Sequence, residues 1–242
     1  MSSRDKILGR IRTALCTVPT PADMPGMPAV WASGNLSRED LCGKFEVSLA
    51  AVGGESVVCS SQEDAAQAME ALLKEIDATR IGIAKRKIVT DALAHVDSFC
   101  DGAPDFQRFY APELANEVSP QVIATLDASI IGAEYLLADT GSAVIASAAA
   151  FDRMLCYLPP VCCVVASVRM LREHLPDAWP EICCRIQGEA TASPDTDPNV
   201  PIQHHGEFLI VTGPSRTADI EKILVMGVHG PKRLLVFIIA EE

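Results

Sequence analysis

Apolar residues at helical spacing alternate along this chain with short, continuous apolar runs of strand length. Near the amino terminus, Ile7, Leu8 and Ile11 fall on one stripe and predict a helix over residues 4–15. The proline-rich stretch 18–29 that follows predicts an extended linker. We therefore expect a helical arm in residues 1–30 and a separate body in residues 31–242.

The body continues the alternation of helix and strand. Ser37 and Asp40 are spaced as a capping box before the first helix of the body. The predicted helices span 41–52, 64–76, 88–95, 120–128, 168–175 and 217–226, and the predicted strands span 56–59, 80–84, 135–138, 142–147, 162–166, 208–211 and 234–240. Residues 99–112 are less regular, and residues 187–205 predict a long polar loop. This order predicts a layered α/β fold with a mostly parallel sheet, helices on both faces and an inserted β-hairpin.

Composition narrows the classes of partner. Of 242 residues, 49% are hydrophobic, and the formal net charge is −12. An acidic chain repels nucleic acid and anionic lipid, so we expect neither as a partner. The charged amphipathic amino terminus does not resemble a signal peptide, and no apolar stretch is long enough to span a bilayer. We expect a soluble, cytoplasmic protein without membrane insertion.

The nine cysteines are scattered, and no C-x-x-C spacing occurs among them. They therefore predict free thiols packed as small hydrophobic side chains, with neither a disulfide framework nor an iron–sulfur cluster. His204 and His205 lie near Asp195 and Asp197, but adjacent histidines lack the spacing that converges on a metal. We expect no metal site and no bound cofactor.

The first candidate for chemistry is the loop after the strand over 208–211. Gly213 permits close backbone approach, Pro214 follows it, and Ser215 and Thr217 offer hydroxyls. Arg216 is suited to clamp a carboxylate or phosphate, and the start of the predicted helix over 217–226 favours anions. A capped helix without any ligand explains the same residues equally well.

The second candidate is the turn Asp139-Thr140-Gly141-Ser142, in which Asp139 offers an acid and Thr140 and Ser142 offer hydroxyls. A tight turn also needs Asp and Gly for purely conformational reasons, and that interpretation is favoured when the turn is taken alone. His229 is a further candidate, which we expect at the opposite edge of the sheet.

The two loops each follow an apolar strand. If those strands run in the same direction within one sheet, their carboxyl ends meet at one edge, where ligands of α/β proteins usually bind. We therefore predict that the two loops converge on one pocket.

Four stretches resemble one known family: Ile131–Ile145, Leu158-Pro159-Pro160, Thr212–Glu221 and Gly227–Pro231. The chain resembles there the lactate utilization protein C family, whose shared unit is often called the LUD domain. Two departures are visible, because the turn of the family usually reads Glu-Thr-Gly-Thr and because residues 148–151 lack the glycines often found after the hairpin.

The resemblance implies a fold related to the NagB/RpiA/CoA-transferase group. It also implies a role in oxidising L-lactate to pyruvate beside two companion proteins that hold the iron–sulfur clusters. We expect an accessory subunit that binds a small organic anion or partner subunits. A stand-alone isomerase or transferase acting on a carboxylated or phosphorylated molecule, and a ligand sensor without turnover, remain as alternatives.

Overall fold

The computed structural model describes residues 3–16, 34–84, 86–94, 107–110, 120–147, 150–186, 207–218, 224–226 and 230–240. The chain divides into two compact units, Met1–Ala32 and Ser33–Glu242. In the first unit, helix α1 spans Ser3–Cys16, and the side chains of Ile7, Leu8 and Ile11 are exposed. The predicted loop 187–205 lies outside the described residues.

The second unit contains helices and strands in alternation. Its helices are α2 (Arg38–Ala51), α3 (Gln62–Glu75), α4 (Lys87–Ala94), α5 (Pro120–Ile123), α6 (Ala150–Tyr157) and α7 (Leu175–Ile186), with a short 3-10 helix over Val168–Met170. Its strands are β1 (Glu55–Cys59), β2 (Arg80–Ile83), β3 (Gln107–Tyr110), β4 (Ala128–Gly132), β5 (Tyr135–Leu137), β6 (Ser142–Ser147), β7 (Val161–Ser167), β8 (Leu171–Arg172), β9 (Glu207–Val211), β10 (Arg216–Ala218), β11 (Leu224–Met226) and β12 (Arg233–Ile239).

Six strands form a parallel sheet in the order β1-β12-β7-β4-β2-β3. Every residue of β4 is buried, as are nearly all residues of β7 and β12. Continuous burial explains why these strands are almost wholly apolar, because helices flank a parallel sheet and leave little of it in water. The predicted α/β class with a mostly parallel sheet is confirmed.

A second sheet of four strands has the order β8-β5-β6-β9. The predicted hairpin is its centre, since β5 and β6 pair antiparallel. Alternate residues point to opposite faces. Leu136 and Ile145 therefore join the main core, whereas Tyr135 and Val144 pack with Ile182 of α7.

Helix α2 begins as predicted. The Ser37 side chain accepts a hydrogen bond from the Asp40 backbone N–H, and the Asp40 carboxylate accepts one from the Ser37 backbone N–H at 3.2 Å. Phe45 and Leu49 are fully buried on its inner face. The helix is therefore fixed both by its cap and by the core, and its carboxyl end lies against the loops described below.

The helix predicted over 217–226 is wrong. Residues Arg216–Ala218 and Leu224–Met226 form an antiparallel pair of strands instead. The apolar positions of this stretch fit helical spacing, but its two ends pair with each other as strands. Arg216 and Thr217 therefore do not lie at the amino terminus of a helix, and no helix dipole favours an anion beside them.

Other boundaries also differ from the prediction. The helix over 168–175 is wrong, because that stretch contains the 3-10 helix and β8, and Pro176 lies in the first turn of α7 rather than ending a helix. Strand β4 and helix α6 were not predicted, and the predicted helix 120–128 is only the single turn α5.

Candidate functional site

The hairpin turn, residues 139–142, is held tightly against α2. Gly141 has a φ of 65°, and its N–H donates to the Leu137 carbonyl at 2.9 Å. A Cβ at this position would collide with the backbone of Ser48 and Leu49. Glycine is required here both for the left-handed backbone and for the close approach of the helix.

The hairpin turn meets the β9 loop, residues 212–216. Ser142 Oγ donates to Thr140 Oγ1 and lies 2.7 Å from Thr212 Oγ1. The contact follows from topology, because β5 and β9 both run antiparallel to β6, which lies between them. The carboxyl ends of β5 and β9 consequently lie at one edge, although this edge belongs to the second sheet.

The β9 loop packs on the carboxyl end of α2. Gly213 has a φ of 76°, and a Cβ there would lie 3.0 Å from the Val52 carbonyl oxygen. The Ser215 N–H donates to the Pro231 carbonyl at 2.9 Å, and Pro214 is buried. These contacts give the loop a fixed shape that does not depend on a ligand.

Arg216 lies on β10, and its guanidinium covers Gly53 so closely that a Cβ at position 53 would collide with it. Within the part of the chain that the structure describes, Arg216 forms no ion pair. Thr217 follows it on the same strand. His229 lies outside the described residues, so its placement stays a prediction.

Asp139 pairs with His174, a residue that the sequence pattern does not single out. Asp139 Oδ2 lies 2.9 Å from His174 Nδ1, and the two side chains are 24% and 12% exposed. The Asp139 N–H donates to the Glu173 carbonyl, while Asp139 Oδ1 is buried and has no hydrogen-bond partner among the described residues. His174 follows β8, which pairs with β5, and only this pairing brings it to the turn.

Glu173 connects this pair to α2. Its carboxylate accepts from Lys44 Nζ at 2.9 Å and from the Gly34 N–H at 2.8 Å, and its Oε1 lies 3.7 Å from His174 Nε2. The hydrogen bonds from Lys44 and Gly34 hold the pKa of Glu173 below its usual range. Lys44, Glu173, His174 and Asp139 therefore form one connected set of polar contacts beside the hairpin turn.

A cleft of about 920 Å³ runs along β9. We call it the β9 cleft. All five residues of β9 and all of the β9 loop line it, together with Arg153 and Tyr157 of α6 and with Gly230 and Pro231. The side chains of Arg153 and Glu207 form an ion pair in it, and this contact raises the pKa of Arg153. Asp139 and the rest of the hairpin turn are not among the residues that line it. The two predicted loops therefore touch each other through Ser142 and Thr212, but only Arg216, and not Asp139, lines the β9 cleft.

A further ion pair, with one buried partner, lies at the carboxyl ends of two strands of the parallel sheet. Glu134 follows β4 with 1% of its side chain exposed, and it pairs with Arg86, which follows β2. The chain passes from β2 outward to β3 and then back across to β4, so this pair lies where the strand order reverses. Ligands of open α/β sheets favour that position. The sequence analysis did not single out either residue, because a lone Glu after an apolar run carries no local signal.

Among the described residues, no three His, Cys, Asp or Glu side chains are arranged to hold a metal ion. None of the described helices combines the length and the apolar character needed to cross a membrane.

Comparison with known proteins places these features in context. The model of the LUD domain matches residues 42–239. Lactate utilization protein C of Bacillus pumilus is 31% identical over 116 residues, which cover 47% of this chain and 42% of that protein. An uncharacterized protein of Neisseria meningitidis serogroup B is 28% identical over 123 residues, covering 50% of this chain and 46% of that protein. The matches span less than half the length of either relative.

A solved structure of a DUF162 family protein from Deinococcus radiodurans superposes on this fold with a TM-score of 0.54. The alignment covers 84% of this chain and 99% of that chain at 15% sequence identity. At that identity the likeness concerns the fold alone.

Proposed function

Because the chain belongs to the LUD domain family, we propose that it is an accessory subunit of a cytoplasmic L-lactate utilization system. The observation that carries the proposal is its similarity to a protein named lactate utilization protein C. In this role the chain binds a small organic anion or its partner subunits, and companion iron–sulfur proteins carry the electrons.

The β9 cleft supplies the geometry for an anion. Arg216 brings a cation without an ion-pair partner in the described part of the chain, and the hydroxyls of Thr212 and Ser215 lie in the same lining. Arg153 contributes little net charge because Glu207 pairs with it. A carboxylate therefore fits best beside Arg216, where a hydrogen bond to a charged group contributes about 1.5–3 kcal/mol.

Growth of the source organism tests the role. A strain that lacks the coding sequence should fail to grow on L-lactate and grow normally on glucose, and the intact gene should restore growth on lactate. The Arg216→Ala variant should restore growth poorly, whereas Arg169→Ala, an exposed arginine outside the cleft lining, should restore it fully. Normal growth of the deletion strain on L-lactate would exclude the proposed role.

The pair of Asp139 and His174 favours a second function. A histidine held through Nδ1 by a carboxylate is a common general base, and it would suit a stand-alone isomerase or transferase on a carboxylated or phosphorylated molecule. The implied kinship with the NagB/RpiA/CoA-transferase group is consistent with such chemistry, but it is an analogy between folds. Turnover by the purified chain alone, lost in His174→Gln, would support this function over the first.

A further inference from the structure

Strand β9 lies at the edge of the second sheet. It pairs with β6 on one side, and among the described strands it has no partner on the other side. In an antiparallel pair, alternate N–H and C=O groups point away from the neighbour. None of these outward groups of Glu207–Val211 hydrogen-bonds to a backbone group elsewhere in the described residues. The strand therefore presents the template to which an extended chain can add.

Within the part of the chain that the structure describes, the sequence of β9 carries little of the usual protection against such pairing. Proteins blunt edge strands with lysine, proline, bulges or a covering element. Strand β9 contains none of these residues, and its one charge, Glu207, is engaged by Arg153. The central part is apolar, with Ile210 49% exposed and Phe208 half-buried beside it. An exposed apolar edge inside a cleft indicates a binding surface.

The size and charge of the β9 cleft define its occupant. Its volume of about 920 Å³ lies near the upper limit for drug-sized ligands and far exceeds the needs of a three-carbon acid. The lining includes every residue of β9 and continues to Arg216, beyond the carboxyl end of the strand. An elongated occupant with a carboxylate at one end matches that shape and charge.

We propose that the β9 cleft receives an extended segment of a partner subunit, which adds antiparallel to β9 as a fifth strand and places an Asp or Glu side chain on Arg216. Antiparallel addition puts the amino-terminal end of the segment beside Arg216, because β9 runs toward that residue. Main-chain hydrogen bonds then provide affinity, and apolar side chains beside Ile210 provide specificity. This inference deepens and rests on the proposed role as a partner-binding subunit.

A blocked synthetic peptide tests the surface. The probe is a labelled hexapeptide of glutamate followed by alternating valine and threonine, titrated with the full chain and followed by fluorescence anisotropy. Replacing Glu by Gln in the peptide, or Arg216→Ala in the protein, should each weaken binding by about tenfold or more, the factor expected for a hydrogen bond to a charged group. The two changes together should cost no more than either alone, and Arg169→Ala should change nothing. Independent, additive losses would overturn the contact with Arg216.

N-methylated peptides test strand addition while leaving the protein unaltered. Methylation of one alternating set of peptide amides should abolish binding, and methylation of the other set should leave it intact, because only every second amide faces β9. Equal effects of both sets, or no binding by the unmodified peptide at millimolar concentration, would overturn the proposal. Neither assay uses lactate or a companion protein, so failure here is distinguishable from failure of growth on lactate.

Discussion

Gly141 shows how a single residue fixes the geometry of the hairpin turn. Gly141→Ala should lower the free energy of unfolding by about 2 kcal/mol or more, because its positive φ disfavours a side chain and because the added Cβ meets the backbone of α2. Chemical denaturation measures the change. Gly43→Ala is the matched control, since a Cβ there meets nothing within 4 Å in the middle of α2, and it should stabilise the chain by about 1 kcal/mol. Equal effects of the two variants would contradict the packing described here.

The lowered pKa of Glu173 predicts that the free energy of unfolding depends on pH in the acidic range. Its pKa is lower in the folded chain, so its contribution is fully present above the pKa of the unfolded chain and is lost as the pH falls through the folded value. The difference in the free energy of unfolding between the wild type and Glu173→Gln should therefore be largest near neutral pH and shrink toward pH 3. Denaturant titrations at several pH values measure it. A difference that is constant from pH 7 to pH 3 would mean that Lys44 and Gly34 do not stabilise the carboxylate.

Some residues of the candidate site are recognisable from the sequence. Asp139 and Gly213 were recognisable because turns use a restricted set of residues, and the two loops do meet through Ser142 and Thr212. His174 and Lys44 were missed because neither carries a local signal. Their position depends on the pairing of β5 with β8 and on the packing of α2, which no short sequence window contains.

The buried thiols of β1, β7 and α6 predict that the chain loses stability at alkaline pH. Burial raises the pKa of the Cys59 thiol to about 11 and that of the Cys162 thiol to about 12, and it also raises the pKa of Cys156 and Cys163. These thiols stay neutral in the folded chain but ionise in the unfolded chain above about pH 8.5. The contribution of these thiols to the free energy of unfolding should therefore be constant from neutral pH up to about pH 8.5 and should fall as the pH rises beyond it.

Denaturant titrations between pH 7 and pH 10 measure this slope. Replacing one thiol, as in Cys162→Ala, should reduce the loss in free energy of unfolding between pH 7 and pH 10 by about 1 kcal/mol or more. The same variant compared at pH 7 gives the cost of the lost packing alone and serves as the control. A slope unchanged by the substitution would show that the Cys162 thiol ionises equally in both states.

Errors in predicting elements have physical causes. Strand β4 is missed because its short apolar run, Ala128–Gly132, directly follows the stretch whose pattern predicts a helix over 120–128. The spacing of apolar residues predicts a helix over 217–226 because a local pattern carries no information on the pairing of β10 with β11. The capping box of α2 was predicted correctly because its two residues interact within one turn of helix.

Because the chain divides into two compact units, we expect the larger unit to fold without the smaller one. A chain that lacks residues 1–30 should still unfold in one cooperative transition, since helix α1 belongs to the smaller unit. Differential scanning calorimetry of the truncated and full chains measures this. A truncated chain without a cooperative transition would place the arm within the main core.

We propose that the chain supports lactate oxidation without performing it alone. Pyruvate formation from L-lactate in extracts of lactate-grown cells tests this most directly, with the purified chain added to extracts of the deletion strain. We expect a low rate in the deletion extract, recovery on addition of the intact chain, weak recovery with Arg216→Ala, and no pyruvate from the chain with an electron acceptor alone. A deletion extract that oxidises lactate at the wild-type rate, or a purified chain that does so unaided, would show that the chain is not an accessory subunit.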